Sequence, residues 1–227
     1  MSEWLSYWPE DFLLFSPRVY WRLFEMHNAA LWPMQVLALA SGLGMVVLVH
    51  RRPFGYERWI ALIFALIWTF VGWSFLWYRY ATINWAIGYV APLFAFQAIL
   101  LLIIGTIFNG LTFDQRGIVG CTGLLLAAFG LVGYPLIPQV LGRRWSGAEI
   151  FGIAPDPTVI ATLGVLLLAR GRLLFLLMPI PLLWLLLSGL TLQTMGEVQG
   201  WLPLLAFAAG LAAIGFKRRL GAPRGLD

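Results

Sequence analysis

The sequence predicts an all-α membrane protein, a polytopic bundle of transmembrane helices. Of its 227 residues, 61% are hydrophobic and only 11% are charged, whereas an average globular chain is about 25% charged. The mean hydropathy of +0.85 points the same way. This composition excludes a soluble domain, a disordered chain and a nucleic-acid-binding protein. The remaining support comes from the spacing of the charges, which leaves long uncharged stretches between them.

Seven stretches contain no Asp, Glu, Lys or Arg, and each long one predicts a helix. Crossing a hydrocarbon core of about 30 Å takes about 20 helical residues, and a helix satisfies its backbone polar groups internally. Five stretches have 19 to 24 residues, the seventh has 16, and the fifth has only 12. We therefore predict seven spans, with six spans plus a re-entrant fifth segment as the alternative. The stretches cover residues 29–49, 59–77, 85–108, 118–141, 158–169, 173–192 and 201–216.

The segment before the first span predicts an interfacial amphipathic helix. Ser16 and Pro17 have the pattern of an N-cap followed by proline at the first helical position. Four residues then recur at helical spacing on one face, as in helices that lie on a membrane surface. They are Tyr20, Leu23, Phe24 and His27. The predicted organisation is an N-terminal interfacial segment at 1–28, a transmembrane bundle at 29–216 and a basic cytoplasmic tail at 217–227.

The distribution of positive charge predicts the orientation in the membrane. With seven spans, five arginines lie on one side and ten Lys or Arg residues on the other, so the positive-inside rule places the N-terminus outside. With six spans, the counts become eleven and four, and both termini lie inside. Both arrangements place the C-terminus in the cytoplasm. The expected location is the bacterial inner (cytoplasmic) membrane.

The short fifth stretch is the best candidate for a functional site. It follows Phe151-Gly-Ile-Ala-Pro-Asp-Pro-Thr158, in which Pro155 and Pro157 prevent a continuous helix. Asp156 is placed as the N-cap of the helix that follows. Half-helix N-termini within membranes form many transporter binding sites, and ionisable residues at that depth are functional candidates. The alternative is that Asp156 only caps a helix at the interface.

Other polar and aromatic residues are predicted on the same side of the membrane as Asp156. Arg143 is the expected ion-pair partner of Asp156. For most of these residues a solvated loop or an aromatic belt is the competing interpretation. The candidate substrate-binding residues are Asp156, Pro157, Thr158, Arg143, Tyr134, Asn84 and Trp85.

Several chemistries are disfavoured, and an enzyme is not expected. The only lysine, Lys217, follows the last span and cannot form a Schiff base inside the bundle. His27 and His50 flank the first span and are too far apart to share a metal. No cofactor and no metal site are predicted, and no known catalytic motif is found. The stretches contain no pair of carboxylates, which argues against a proton pump built on a carboxylate relay.

Several short motifs resemble an uncharacterised family of bacterial multi-pass membrane proteins, a domain of unknown function. The strongest is Phe151–Thr158 followed by Thr162-Leu-Gly164. The resemblance covers nearly the whole chain and implies the same membrane layout. Some members carry a permease label of the major-facilitator kind, which implies twelve spans and does not suit 227 residues. The other matching segments are 11–18, 23–25, 28–33, 79–85, 134–137 and 142–143.

Two functions fit these observations. The first is a small-solute or ion permease, expected to form a homo-oligomer, with its site at the broken fifth helix. The second is a non-catalytic accessory subunit of a larger membrane complex, suggested by the short loops, the 12 Trp residues and the few polar groups inside the spans. The expected partners are the lipid bilayer and other membrane chains, and no nucleic acid. The sequence does not identify a substrate.

Overall fold

The computed structural model describes residues 15–114, 117–171 and 173–221, and in this part of the chain it is helical. Three of the helices continue directly into π-helical segments, Gly72–Trp77, Leu101–Ile107 and Phe129–Gly133. The α-helices are α1 Pro17–Leu31, α2 Met34–Arg51, α3 Tyr56–Val71, α4 Ile87–Leu100, α5 Gly117–Ala128, α6 Ile137–Val140, α7 Pro155–Leu168, α8 Leu174–Leu177, α9 Pro179–Thr194 and α10 Trp201–Gly221. Single 3₁₀ turns lie at Tyr80–Thr82, Tyr134–Leu136, Trp145–Gly147 and Val198–Gly200.

Six helical segments are long and apolar enough to cross a membrane. Their outward surface is apolar as well, with exposed Val and Leu along α2 and exposed Trp near several helix ends. Contiguous exposed apolar surface of this extent is typical of a lipid-facing bundle. The six segments are Met34–Arg51, Tyr56–Thr82, Ile87–Ile107, Gly117–Val140, Leu174–Thr194 and Val198–Lys217. The helical class is therefore confirmed and the described part of the chain has six helices able to cross a membrane, whereas the count of seven spans stays a prediction.

The segment preceding the first span differs from the predicted layout in one detail. The uncharged stretch 29–49 is not one helix, because α1 ends at Leu31 and α2 begins at Met34, after Pro33. Ser16 caps α1 with its side chain, and the four predicted face residues of α1 are buried. That face packs on protein, since Phe24 stacks on Phe75 with ring centroids 4.7 Å apart. An interfacial position for α1 stays a prediction.

The short helix α7 lies at the centre of the bundle. Every residue from 151 to 164 is buried. Glycines allow the backbones of α5 and α7 to approach closely, as in other membrane helix pairs. A Cβ atom on Gly123 would lie 2.7 Å from the carbonyl oxygen of Gly164, and one on Gly130 would lie 2.5 Å from that of Pro157. Gly123 and Gly130 therefore pack inside the chain.

The two ends of the bundle are marked by different structures. At one end, here called the β end, two short strands, β1 at Thr112–Phe113 and β2 at Ala169–Arg170, form an antiparallel ladder. At the other, here called the α1 end, α1 lies against the loop 141–154, to which Asn28 donates two hydrogen bonds of 2.8 Å. Because β1 precedes α5 and β2 follows α7, α7 returns the chain to the end from which α5 starts.

Some predicted segments fall partly or wholly outside the described residues. The N-terminal segment 1–28 and the matching motif 11–18 are described only from residue 15 onward. Of the tail 217–227, residues 217–221 continue α10 and the remainder is outside the described part. Arg116, Arg172 and Arg224, which entered the charge count, also lie outside it.

Candidate functional site

Asp156 is the centre of a buried cluster of polar side chains. Its side chain is only 1% exposed. Oδ1 accepts a hydrogen bond from Trp184 Nε1 at 2.8 Å, and Oδ2 accepts from Ser188 Oγ at 2.7 Å and Tyr134 Oη at 3.0 Å. The donors come from α9 and from the 3₁₀ turn that begins at Tyr134. Asp156 therefore fixes the position of α7 against two other segments of the chain.

The depth of Asp156 follows from its partners on α9. Trp184 is ten residues from the end of that helix at Thr194, which corresponds to about 15 Å along the axis at about 1.5 Å per residue. Asp156 therefore lies well inside the bundle. The predicted capping role is wrong, because α7 begins at Pro155, its N-cap is Ala154, and no side chain caps it.

A second carboxylate belongs to the same cluster. Glu149 is fully buried and accepts a hydrogen bond from Gln199 Nε2, which also donates to Tyr134 Oη at 3.2 Å. Tyr134 in turn donates to Asp156. Two carboxyl groups are thus joined through one amide and one phenol. Both carboxyl groups lie outside the uncharged stretches 118–141 and 158–169. The absence of a carboxylate pair within those stretches therefore did not reveal that the fold buries these two groups in one cluster.

Burial changes the protonation of Glu149, which lies in the loop outside the spanning helices. Removal from water, and then the negative charge of Asp156, raise the pKa of Glu149 to about 8. The hydrogen bond from Gln199 and the positive charge of Arg143 act in the opposite direction. Glu149 Oε1 is buried without a hydrogen-bond partner in the described part of the chain. This carboxyl is therefore largely protonated at neutral pH.

Arg143 does not pair with Asp156, so that predicted ion pair is wrong. Its guanidinium lies over the ring of Trp21, 3.5 Å from the centroid, and Nη2 donates to Gln199 Oε1. Trp21 Nε1 in turn donates to Glu197 Oε1 at 3.0 Å. Arg143 thus reaches Asp156 only through Gln199 and Tyr134. The guanidinium forms the α1-end terminus of the polar cluster.

The other sequence-predicted site residues divide into two groups. Pro157 and Thr158 are buried beside Asp156, and Thr158 Oγ1 donates to Ala154 O at 2.7 Å and accepts from Gly152 N at 2.8 Å. Asn84 and Trp85 are not part of the cluster. The Asn84 side chain accepts a hydrogen bond from Ala86 N. Trp85 is 68% exposed, and its ring contacts that of Tyr89. For this pair the loop and belt interpretation is the better one.

Four members of the cluster were not predicted as site residues. Glu149 lies in the loop 141–154. Trp184 and Ser188 lie at i and i+4 on α9, a spacing that puts both on one helix face. Gln199 lies in a 3₁₀ turn before the last span. Only this i, i+4 spacing was visible in the sequence, and it does not indicate which face meets Asp156.

The cluster suits hydrogen bonding and proton transfer better than metal binding. Among the described residues, no group of three His, Cys, Asp or Glu side chains is arranged to hold a metal ion. Asp156 and Glu149 are separated by a phenol and an amide. A phenol can both donate and accept a proton, whereas the neutral amide can orient one. The arrangement is a carboxyl–phenol–amide–carboxyl chain leading from the α1 end towards the centre of the bundle.

A helical bundle with span-length apolar helices and a buried acidic cluster defines a membrane protein. Its family follows from comparison with known proteins: the model of the family of unknown function DUF6064 matches residues 17–222. The chain belongs to that family, which confirms the resemblance to an uncharacterised family. No curated protein and no solved structure gave a match. The match includes every residue of the polar cluster.

Proposed function

We propose that the protein is a permease for a small solute or an ion, coupled to proton binding at Asp156. One observation carries the proposal: Asp156 is 1% exposed, deep in the bundle, at the start of a broken helix. In the described part of the chain its hydrogen-bond partners are all neutral. A buried carboxyl without a positive partner is costly to keep ionised, so it is suited to exchanging a proton.

A path for protons from the α1 end is part of the proposal. Glu149, Gln199 and Tyr134 connect the loop 141–154 to Asp156 through side-chain hydrogen bonds. Arg143 lies at the outer end of this chain, where its positive charge lowers the pKa of Glu149. We infer that Glu149 receives the proton first and passes it directly to Tyr134 Oη, as Tyr134 gives its own hydroxyl proton to Asp156. Gln199 donates to both Glu149 and Tyr134, so its amide holds the two oxygens near each other and carries no proton itself.

The same proposal assigns a seventh crossing to α7. This helix has 14 residues, fewer than a free-standing span needs. Two features support a full crossing: α7 is buried inside the bundle, and β2 at its end lies beside β1. Buried irregular backbone at 151–154 then covers the remaining depth, as membrane proteins tolerate where backbone is enclosed by protein. Seven crossings place the α1 end outside and the C-terminus in the cytoplasm of a bacterial inner membrane.

Proton flux into proteoliposomes tests the proposed function. Vesicles containing the purified protein and an internal pH dye are given a potassium diffusion potential, alone and with gradients of inorganic phosphate, acetate, glucose or glycine. The wild-type chain is expected to raise the proton flux in at least one condition. Asp156→Asn keeps the side-chain size but cannot ionise, so its flux is expected to fall to that of empty vesicles.

Asp114→Asn is the matched control for this experiment. Asp114 is half exposed at the β end and pairs with Arg170 at 2.9 Å, so the same chemical change there is expected to leave the flux unaltered. Wild-type vesicles no more permeable than empty ones in all conditions would overturn the proposal. Equal flux in wild type and Asp156→Asn would remove Asp156 from it.

A second candidate function is an accessory subunit of a larger membrane complex. The observation that favours it is the extensive exposed apolar surface of α2. Of the 18 residues of this helix, only Gln35, Ala38, Gly42 and Met45 are buried. A helix with so little contact within its own chain is suited to packing against another membrane protein. This candidate predicts rapid loss of structure when the chain is purified alone. A well-behaved, partner-free preparation would count against it.

A further inference from the structure

A second polar site lies at the α1 end, next to the Asp156 cluster, with which it shares Arg143. It is a pocket of about 810 Å³ between α1 and the loop 141–154, here called the basic pocket. Its volume is within the range of small-molecule sites, about 300–1,000 Å³. Four arginines and one glutamate give its charged lining a formal charge of +3. These five residues are Arg18, Arg22, Arg143, Arg144 and Glu25.

Most of the positive charge at the α1 end is concentrated in this pocket. The α1 end carries five arginines, and four of them line this one pocket. Only Arg79 of that set lies elsewhere. Solvated surface arginines are expected to lie apart, because like charges that are brought together repel each other. A concentrated positive potential of this kind attracts and retains anions.

Two of the arginines are fixed and two have no described partner. Arg22 forms an ion pair with Glu25 at 2.5 Å, and Arg143 is held by Trp21 and Gln199. The Nε and Nη1 atoms of Arg143 are nevertheless buried without a hydrogen-bond partner in the described part of the chain. Arg18 and Arg144 are exposed on opposite walls of the pocket. The pocket therefore holds one guanidinium in a fixed orientation and two guanidinium groups that have no partner in the described part of the chain.

We propose that the basic pocket binds a phosphate group, supplied either by the headgroup of an anionic lipid or by a free phosphate. The planar guanidinium matches phosphate oxygens with paired hydrogen bonds, which distinguishes arginine from lysine. The pocket also has apolar walls from Val19, Met26 and Ile83. It lies at the α1 end of the bundle, and spanning helices meet lipid headgroups at their ends. This inference does not depend on permease activity.

Binding to the purified full-length chain in two formats tests the proposal and separates the two sources of phosphate. Calorimetry in detergent uses inorganic phosphate as the probe. Native mass spectrometry after extraction from phosphatidylcholine vesicles with and without phosphatidylglycerol counts retained anionic lipid. The Arg18→Gln/Arg144→Gln double variant removes two exposed charges that have no described partner. It is expected to weaken binding about tenfold in one format, since hydrogen bonds to charged groups contribute about 1.5–3 kcal/mol.

The control double variant is Arg51→Gln/Arg58→Gln, which removes the same charge at the β end. Loss in calorimetry only assigns a free phosphate, and loss in lipid retention only assigns a headgroup. The proposal is overturned if neither format changes, or if the control weakens binding equally. Both formats are repeated with Glu3, Glu10 and Asp11 neutralised, so that acidic residues preceding α1 cannot compete with the probe. The proton flux that depends on Asp156 is measured in a separate experiment on proteoliposomes. Failure of one proposal is therefore distinguishable from failure of the other.

Discussion

At the scale of single residues, the carboxyl group of Asp156 accepts hydrogen bonds from three buried donors. Trp184, Ser188 and Tyr134 all donate to it inside the bundle. A buried donor left without an acceptor costs about 1–3 kcal/mol. Asp156 therefore has a structural role alongside its proposed function, and the two roles respond to different substitutions.

We predict that Asp156→Ala lowers stability much more than Asp156→Asn. Alanine removes both acceptor oxygens, so the loss is expected to be about 3 kcal/mol or more. Asparagine keeps one oxygen, and its loss is expected to be smaller. Thermal unfolding in detergent, followed by intrinsic tryptophan fluorescence, measures both. Similar melting temperatures for the two variants would show that these hydrogen bonds contribute little.

Glu149 predicts a specific dependence of stability on pH. Its pKa is raised to about 8 in the folded chain from an ordinary value of 4.5. Between those values the folded state holds a proton that the unfolded state has released, so stability falls as pH rises. The window from pH 6.5 to 8 avoids His27, whose pKa is lowered by burial from 6.5 to about 4.

The matching experiment compares melting temperatures of wild type and Glu149→Gln between pH 6.5 and 8. The wild-type melting temperature is expected to decrease across this window, and that of Glu149→Gln to be flatter, because glutamine has no proton to lose. Parallel curves for the two chains would mean that Glu149 does not hold a proton at neutral pH.

At this scale the sequence pointed to two members of the buried cluster, whereas their role as a binding site stays a prediction. Asp156 could be identified because it is an acid between two prolines before an apolar stretch, and Tyr134 because it lies at the end of a span. The links through Glu149 and Gln199 join residues 50 and 65 positions apart. Such contacts depend on how helices pack, which no local pattern encodes. Arg143 does not pair with Asp156, because its guanidinium contacts Trp21 and Gln199 instead.

At the scale of elements, α7 depends on close backbone contact with α5. A methyl group on Gly164 would meet the backbone of Ala127 and the carbonyl oxygen of Gly123. Backbone atoms cannot move aside as a flexible side chain does, so the helices would have to separate. The position of Asp156 relative to Tyr134 would change with them.

We predict that Gly164→Ala destabilises the chain by about 1–3 kcal/mol, the usual cost of overpacking a tight interior. Gly44→Ala on α2 is the control, because a Cβ atom there has no neighbour within 4 Å. Its stability is expected to be unchanged or slightly higher, since alanine favours helix more than glycine does. Thermal unfolding in detergent distinguishes them. Equal effects of the two substitutions would contradict the close packing of α5 and α7.

The far end of α7 also has a specific partner. Lys217 Nζ donates to Leu167 O at 3.1 Å and to Ala169 O, so a positive charge lies at the helix C-terminus. Asp156 lies in the first turn of the same helix. An acidic group near the N-terminus of a helix and a basic group at its C-terminus both interact favourably with the helix dipole. Lys217, predicted as part of a surface tail, therefore also supports the central helix.

The sequence predicted the elements better than their internal details. Uncharged stretches indicated the spans because charge is costly in lipid, and the shortness of α7 was visible from length alone. The division at Pro33 was not predicted, although proline commonly ends a helix. The three π-helical segments have no sequence signature comparable to a cap, and they lie where helices adapt to neighbours. Their positions follow from packing rather than local preference.

At the scale of the whole molecule, α7 determines the topology. If it completes a seventh crossing, the loop 141–154 before it and Leu173 after it lie on opposite sides of the membrane. In a Cys121→Ser background, a cysteine at Ser146 is expected to react with an impermeant maleimide added to intact cells. Leu173→Cys, at an exposed position after α7, is expected to react only after lysis. Reaction of both in intact cells, or of neither, would contradict the proposed arrangement.

The central claim is that this chain acts by itself as a permease. The most direct test is a mild-detergent pull-down of the C-terminally tagged chain from its native membrane, with co-purifying proteins identified and quantified by mass spectrometry. The proposal predicts that the chain is recovered alone or as a homo-oligomer, in a preparation that retains proton flux. A stoichiometric set of other membrane proteins, with no flux through the chain once they are removed, would contradict it and make the chain a subunit of their complex.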